Sequence, residues 1–398
     1  MSIQEAIQTA LKNNPGLQRT EKSISTAEEY LKIAKAGKGF SISATGSANA
    51  SKYESTEDSE NLLANIRASI PLYSGKKLES QIKSAELEID VAKFDFEQAR
   101  DDLAYNVATA YIDALENFAT EKVNLETENN LADHEKNIAA MFDAGATAKI
   151  DLLRSQVETS NAAQDTAKSH AAYEVSLTKL ATLMAVKSIS NLTVEEISTS
   201  SELGELENYI SLAEENRADL KADDLRTEQG ELNIEIAKAG NRPTLSAEIG
   251  AGLSSASRSW HVTPSASAGL SANLNIFDGG ITKAEIAEAE LEVQRLQLAM
   301  QNDINSVHES VITAHKNLKI ALMRLRTTSR AVNLAEEERF IATEKYKAGE
   351  GILLDILDAE VALATAKKNH VSAVHDVIRY RFDLAHAVGN TFSALEKF

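Results

Sequence analysis

Three aspartates beside two predicted turns between helices are the residues of this chain best placed to act on charged species. The turns are FDAGATAKID and YKAGEGILLD, and in each a glycine, Gly145 or Gly349, fits the left-handed position that ends a helix. Asp151 and Asp355 fall just inside the following helices, where a carboxylate stabilises the positive end of the helix dipole. Helix capping is therefore one explanation of these two acids.

The spacing of Asp355 and Asp358 adds a second explanation. Residues three apart lie on the same face of a helix, so this pair presents two carboxylates side by side. In a threefold assembly the two positions would form acidic rings at a constriction, and acidic rings select cations. The sequence is compatible with both explanations.

The histidines do not indicate a metal site. His308 and His315 are seven residues apart and His370 and His375 are five apart, whereas a helical metal pair has its histidines four apart. We expect these histidines to be solvated or to contact a neighbouring helix. The chain has no cysteine, no P-loop and no nucleophile elbow, so the sequence predicts neither an enzyme nor a cofactor.

The composition favours long helices and disfavours nucleic acid as a partner. The chain has 398 residues, a formal net charge of −19 and four prolines, none of them between Pro71 and Pro243 or after Pro264. An interior proline costs a helix about 3 kcal/mol, so these stretches are free to be continuous helix. Phosphate binding requires clustered basic residues, which an acidic chain does not favour. The N-terminal MSIQEAIQTALKNN predicts an amphipathic helix rather than a signal peptide, so an exported form would have lost its leader.

An internal duplication organises the chain. IAKAG begins at Ile33 and again at Ile236, 203 residues later, while PLYSGKK pairs with NIFDGGI, and FDAGATAKIDLL with YKAGEGILLDIL, at an offset of 204. A period this long is typical of one large unit in tandem rather than of a solenoid. We predict a first repeat at residues 1–185, a linker at 186–208, a second repeat at 209–388 and a C-terminal tail at 389–398.

Each repeat reads as helix, β-hairpin, long helix, tight turn and long helix. The hairpins are predicted at 40–73 and 244–277, where apolar residues alternate with polar ones over runs of about 10 residues, the length of a tilted strand crossing a bilayer. An ordinary half-buried antiparallel sheet is the alternative. Four strands do not close a membrane barrel, whose smallest size is about 8 strands, but three copies of the chain would supply twelve.

The long helices are predicted at 76–143, 147–185, 280–347 and 351–388. Two of them carry apolar seams with spacings of three and four, which pack helix against helix. The first seam is Ile82, Ala85, Ile89, Ala92, Phe96, Ala99, Leu103, Val107, Ala110 and Ala114. The second is Ile286, Ala289, Val293, Leu296, Met300, Asp303, Val307, Val311, Ala314 and Leu318. A helix over 76–143 would be roughly 100 Å long, which suits a reach across a compartment better than a globular core.

Taken together, these features resemble the TolC-like outer-membrane efflux proteins. The resemblance covers essentially the whole chain and rests on SIQEAIQTALKNNPGLQ, the strand exits PLYSGKK and NIFDGG, the paired turns and the duplication. It implies an α+β membrane protein: a homotrimer with a 12-stranded transmembrane β-barrel, four strands from each chain, and a trimeric α-barrel of long helical hairpins in the periplasm. It further implies a passive duct, recruited by a periplasmic adaptor and a proton-driven or ABC-type inner-membrane pump. Drug efflux, toxin secretion and metal export all use this scaffold.

The resemblance also assigns roles to residues. Asp355 and Asp358 match the acidic constriction, and Asp151 and Tyr346 match partners in the network that latches the closed tip. The position of a latching arginine in the family is Gly351 here, which puts that latch in doubt and leaves Lys149 as a substitute. The predicted adaptor-contact tips are Gly145, Ala146, Gly349 and Glu350.

A soluble coiled-coil scaffold, or an adaptor-like helical hairpin, is the alternative function. Such a protein would purify without detergent, and it would not need alternating strands of bilayer length.

Overall fold

The computed structural model describes residues 1–52, 59–189, 192–193, 203–256 and 262–395. Residues 53–58 and 257–261 of the predicted hairpins lie outside the described residues, as do 190–191 and 194–202 of the predicted linker 186–208 and 396–398 of the predicted tail 389–398. The helices are α1 Ile3–Asn13, α2 Pro15–Ala36, α3 Lys77–Asp143, α4 Lys149–Leu183, α5 Leu206–Asn216, α6 Ala218–Lys238, α7 Ile281–Lys347, α8 Leu353–Ala387 and α9 Thr391–Leu395. The strands are β1 Ser41–Ser51, β2 Ser59–Tyr73, β3 Thr244–Ala256 and β4 Val262–Asn273.

The chain forms two compact units. Met1–Arg19, Phe96–Ala218 and Ile304–Phe398 make up the first, which we call the helical unit. Thr20–Asp95 and Asp219–Asp303 make up the second, which we call the sheet unit. None of the helices in the described part of the chain is long and apolar enough to cross a membrane.

The core of the helical unit is built from α1, α3, α4 and α8. Ile7, Val107, Leu180 and Phe382 are each at most 1% exposed and belong to one apolar cluster. The first turn of α1 is closed by a capping box, in which the Ser2 amide donates to the Glu5 carboxylate at 2.9 Å and the Glu5 amide to the Ser2 hydroxyl at 3.2 Å. The apolar cluster packs α1 against the long helices, and the capping box stabilises the start of α1.

The predicted seams lie on the packed faces of α3 and α7. In the helical unit, the buried members are Leu103, Val107, Ala110 and Ala114 of the first seam and Val307, Val311, Ala314 and Leu318 of the second. In the sheet unit, Ala92 of the first seam and Val293 of the second are buried. The spacing of three and four therefore identified the buried faces, because residues at that spacing share one side of a helix.

The sheet unit holds one antiparallel sheet in the order β1-β2-β3-β4. Its register places Ile42, Ala68, Ile249 and Ala268 opposite one another in adjacent strands, so the alternating apolar residues of all four strands share one face. The other face is polar and carries an ion pair between Arg67 and Glu248 at 3.1 Å. Large side chains of the apolar face are exposed, among them Ile66 and Leu270.

Two irregularities shape the end of the sheet nearest the helices. The β2–β3 pairing shifts between Pro71 and Tyr73, so that Tyr73 lies opposite Leu245 and joins the apolar face. The alternation predicted strand as far as residue 277, but β4 ends at Asn273. The reason is that β3 starts at Thr244, the partner of Asn273, so the residues beyond Asn273 have no ladder to join.

The repeated glycine of IAKAG is explained by close packing. A Cβ on Gly240 would lie 2.7 Å from the Thr282 hydroxyl oxygen, and a Cβ on Gly37 would lie 3.3 Å from the Leu78 Cδ2. Thr282 and Leu78 are in the first turns of α7 and α3. In both repeats the glycine therefore allows the start of a long helix to approach the chain that enters the sheet.

Other boundaries differ by a few residues. The helices predicted at 147–185 and 351–388 extend over Lys149–Leu183 and Leu353–Ala387. The entry helix of each repeat is divided: at Asn14, before Pro15, and at Arg217, both of which have extended backbone. α5 begins inside the predicted linker and α9 lies inside the predicted tail.

Candidate gate at the helical turns

Both predicted turns of the helical unit end their helices in the same way. Gly145 and Gly349 have φ angles of 74° and 76°. After α3, the Gly145 amide donates to the Phe142 carbonyl at 2.9 Å and the Ala146 amide to the Met141 carbonyl at 2.8 Å. The same two bonds recur after α7, from Gly349 to Tyr346 and from Glu350 to Lys345. This pattern is a Schellman motif, which satisfies the last carbonyls of each helix.

The turns themselves are open to solvent. The predicted adaptor-contact residues Gly145, Ala146, Gly349 and Glu350 are all exposed. A Cβ on either Gly145 or Gly349 would meet no atom within 4 Å in the described chain. The glycines are therefore required by backbone conformation, not by crowding.

The two candidate constriction acids are exposed on one side of α8. Leu353 and Leu357 lie in a buried cluster with Leu131 and Ile138 of α3, which fixes the opposite side of the helix. Asp355 accepts a long bond from the Ile352 amide at 3.4 Å, so it also caps α8. Among the described residues, the Asp358 carboxylate has no ion-pair or hydrogen-bond partner. The capping explanation therefore holds in part for Asp355 only, and both acids remain free to meet another chain.

Asp151 and Tyr346, the predicted latch partners, are near each other without a hydrogen bond. Asp151 accepts from the Thr147 hydroxyl at 3.0 Å, and the Tyr346 hydroxyl is 3.9 Å from the sulfur of Met141. Burial raises the pKa of Tyr346, and the charge of Asp151 raises it further. The two residues are thus coupled electrostatically, while the tyrosine is held by packing.

The position that replaces the family's latching arginine is tightly packed. A Cβ on Gly351 would lie 3.0 Å from the Tyr346 amide nitrogen, and the Gly351 amide donates to the Lys345 carbonyl at 3.1 Å. A side chain at residue 351 would therefore disturb the end of α7. Lys149 is exposed, and its ammonium contacts no carboxylate in the part of the chain that the structure describes.

Sequence reasoning missed a partly buried polar cluster behind the turns, formed by His134, Arg339 and Glu360. The guanidinium of Arg339 is 3.2 Å from the carboxylate of Glu360, whose side chain is only 10% exposed. The His134 ring packs edge-on against Tyr346 with 6.0 Å between centroids, and its Nε2 atom is buried without a partner. Burial lowers the pKa of His134, although the charge of Glu360 opposes this. A charged residue on an apolar helix face was the available signal for Glu360.

His308, His315 and His370 contact neighbouring elements, as expected, whereas His375 is buried and bonds to the Val371 carbonyl of its own helix. His308 bonds to Glu214 at 2.6 Å and His315 to the Gly204 carbonyl at 3.0 Å, which hold α5 and the chain before it against α7. Within the described residues, no group of three or more histidine, aspartate or glutamate side chains is arranged to hold a metal ion.

Comparison with known proteins identifies the fold and the family. The family model for outer membrane efflux proteins matches residues 6–186 and 209–390. Nodulation protein T of Rhizobium leguminosarum bv. trifolii is 25% identical over 331 residues, covering 79% of this chain and 69% of that protein. Outer membrane efflux protein BepC of Brucella suis biovar 1 is 21% identical over 398 residues, covering 96% and 84%. The solved channel CusC superposes with a TM-score of 0.87 at 17% identity, over 98% of this chain and 92% of that one, and this likeness shows a shared fold.

The family match covers both repeats, and the four-stranded sheet and paired helical hairpins are those of the solved channels. Members of this family are outer-membrane channels rather than enzymes. They form homotrimers, work with adaptors and inner-membrane pumps, and have a periplasmic portion. The chain belongs to the outer membrane efflux protein family.

Proposed function

We propose that three copies of this chain form the passive exit duct of a tripartite efflux or type I secretion system. The main support for this proposal is the form of the four-stranded sheet. It has one apolar and one polar face, and its outer strands, β1 and β4, each lack a second strand partner in the described chain. Unpaired edges in a membrane are costly, and closure with the strands of two further copies removes them.

In this arrangement the repeats at 1–185 and 209–388 each contribute one strand hairpin and one helical hairpin. The apolar face of the sheet, with Ile66 and Leu270, contacts lipid, while the polar face with Arg67 and Glu248 lines the lumen. A passive duct needs an inner-membrane pump, proton-driven or ABC-type, and a periplasmic adaptor. The adaptor would contact the exposed turns at Gly145–Ala146 and Gly349–Glu350.

Cross-linking between edge strands tests the closure directly. Because the chain has no cysteine, Ser43→Cys in β1 and Ser267→Cys in β4 introduce the only thiols. The protein is treated in detergent with a short bifunctional cross-linking reagent. We expect covalent dimers and trimers from this double variant, or from double variants at neighbouring positions of the same two strands. Each single variant is the control. A protein that stays monomeric in detergent at all positions would refute the duct and favour the soluble scaffold.

We further propose that Asp355 and Asp358 line the constriction, and that Asp151, Tyr346 and Lys149 help to hold it closed. The two exposed carboxylates of α8 support the first part, since three copies would bring them into rings. Lys149, which has no acidic partner in its own described chain, is free to pair with a carboxylate of a neighbouring copy.

Conductance in planar bilayers tests the constriction. We expect the Asp355→Asn/Asp358→Asn variant to lose much of the cation preference of the wild type. The matched control is Asp143→Asn/Glu350→Gln, which removes two exposed acids beside the same turns. An equal loss in both variants would show that general surface charge, and not the constriction, sets the preference. Lys149→Gln should raise the frequency of open events if Lys149 is part of the latch.

A further inference from the structure

The end of the sheet nearest the helices carries exposed aromatic rings. Phe40 directly precedes β1 and is 72% exposed, and Tyr73 ends β2 and is 43% exposed. The pairing shift before Tyr73 places it opposite Leu245, on the apolar face. Tyrosine with one apolar and one polar end is enriched where a membrane surface meets water. This end of the sheet therefore has the chemistry of a bilayer surface.

Two lysines, Lys76 and Lys77, lie three and four residues after Tyr73. Lys76 and Lys77 are exposed, and in the described part of the chain neither ammonium group has a carboxylate partner. The nearest acid in sequence, Glu79, is already paired with Lys38 at 2.7 Å. The turn formed by residues 73–79 thus holds two uncompensated positive charges, on a chain whose formal net charge is −19.

The matching turn of the second repeat, residues 277–283, has no such excess of positive charge. There the Thr282 hydroxyl donates to Asp278, as do the amides of Thr282 and Gly280, each at 2.9 Å. These bonds keep Asp278 ionised by lowering its pKa to about 2. Lys283 is the basic residue of this turn, and its formal positive charge equals the negative charge of Asp278. The duplication therefore preserved the fold of the turn but not its charge.

Lys76 also occupies an unfavourable backbone conformation. Its φ angle is 72°, and the equivalent residue of the second repeat is Gly280, with φ of 92°. A side chain in the left-handed region is strained, and glycine would relieve the strain. The first repeat nevertheless has an exposed lysine there, three residues after Tyr73.

We infer that the turn formed by Tyr73, Lys76 and Lys77 binds the phosphate group of an anionic phospholipid at the periplasmic surface of the outer membrane. The aromatic ring lies at the level of the headgroups, and the lysine stems reach along it to the phosphate. The second turn, with Asp278 and Lys283, does not bind it. This inference rests on the proposed function, because it requires the sheet to span the membrane.

Native mass spectrometry of the detergent-solubilised protein tests the inference. The protein is titrated with phosphatidylglycerol or with phosphatidylcholine of the same chain lengths. We expect a preference for phosphatidylglycerol that falls about fivefold for each lysine removed, in Lys76→Gly, Lys77→Gln and the double variant. Lys76→Gly also relieves the strained backbone, so a loss of binding is not explained by misfolding. Lys283→Gln is the matched control and should keep the wild-type preference.

Equal binding of the two lipids, or an equal loss in Lys283→Gln, would overturn the inference. Full displacement of the bound lipid by millimolar inorganic phosphate would also overturn it, because the turn would then be a binding site for free phosphate. The same spectra report oligomeric mass. A trimer without lipid preference refutes the lipid site alone, whereas a lipid-free monomer refutes the proposed duct as well.

Discussion

Asp101 of α3 accepts two hydrogen bonds from Thr391 of α9, from its amide at 2.9 Å and from its hydroxyl at 2.7 Å. Thr391 is fully buried, and the two residues are 290 positions apart. Burial raises the pKa of Asp101, while the two bonds from Thr391 oppose the rise. The end of the described chain is thereby fastened to the helical unit.

Thr391→Ala should therefore destabilise the protein by about 1–3 kcal/mol at neutral pH, because the buried carboxylate loses one donor. The loss should be smaller at an acidic pH close to the usual aspartate pKa of 3.8, because burial raises the pKa of Asp101 and the protonated carboxyl needs the donor less. Thermal unfolding of the detergent-solubilised protein at both pH values measures this. Ser393→Ala, in the same short helix, is the control, and an equal effect at both pH values would contradict the proposed role of the charge.

Arg379 of α8 contacts three carboxylates, two of them on α3 and one on its own helix. Its guanidinium is 2.7 Å from Glu116, 3.0 Å from Asp113 and 2.7 Å from Asp376. Burial alone would lower the pKa of Arg379, but Glu116 and Asp113 raise it above its usual value. Arg379→Met should cost about 3 kcal/mol of stability, since it leaves partly buried acids unpaired.

The same unfolding measurement on Arg295→Met provides the comparison for Arg379. Arg295 pairs with Glu292 one turn away on the solvent-facing side of α7, so its loss should change stability little. If both variants unfold at the same temperature, the network around Arg379 is not a stabilising feature.

The pH dependence of the turns should follow His134. Because burial lowers the pKa of His134 below its ordinary value of 6.5, the packed helices favour the neutral ring. Stability is lost as the pH falls below 6.5, since the unfolded or opened state takes up the proton first. Glu360, Arg339, Tyr346 and Asp151 are the other charged or titratable groups near it on the packed helices.

Hydrogen exchange of peptides covering the two turns, at about pH 5.5 and 7.5, measures this effect. We expect lower protection at the acid pH in the wild type and no such difference in His134→Gln. His170 is the control: Glu121 raises its pKa, so its contribution has the opposite sign, present below 6.5 and lost as the pH rises. A pH difference that persists in His134→Gln would assign it to another group.

The two IAKAG glycines should differ in their tolerance of a side chain. Gly240→Ala places a methyl group 2.7 Å from the Thr282 hydroxyl and should cost about 1–3 kcal/mol. Gly37→Ala should cost less, because its nearest side-chain neighbour is the flexible end of Leu78, at 3.3 Å. Denaturation of the variants compares them.

A double variant separates contact from backbone effects at Gly240. In a Thr282→Ala background the added methyl has room, so Gly240→Ala should cost less there than in the wild type. Equal costs in both backgrounds would mean that the glycine is needed for its conformation and not for the close approach.

Local patterns were enough to predict the strands, the long helices and the turns between them. Each pattern depends only on neighbouring residues, so it can be recognised in a short stretch of sequence. This holds for the period-two alternation of β1 to β4, the seams through Val107 and Val311 and the turns at Gly145 and Gly349. The duplication then gave each pattern a second, independent occurrence. The end of β4 could not be predicted in this way, because it depends on where β3 starts.

Only the tertiary structure decided which residues meet. Periodicity shows that one face of α3 is buried, but it does not say that His134 lies against Tyr346 or that Asp101 holds Thr391. Nor does it show that a shifted pairing turns Tyr73 onto the apolar face beside two unpaired lysines. These contacts join residues far apart in the chain, and their partners are chosen by helix packing and strand register. The sequence alone therefore determined the elements and their order, whereas packing and register decided the contacts and the charges around the candidate sites.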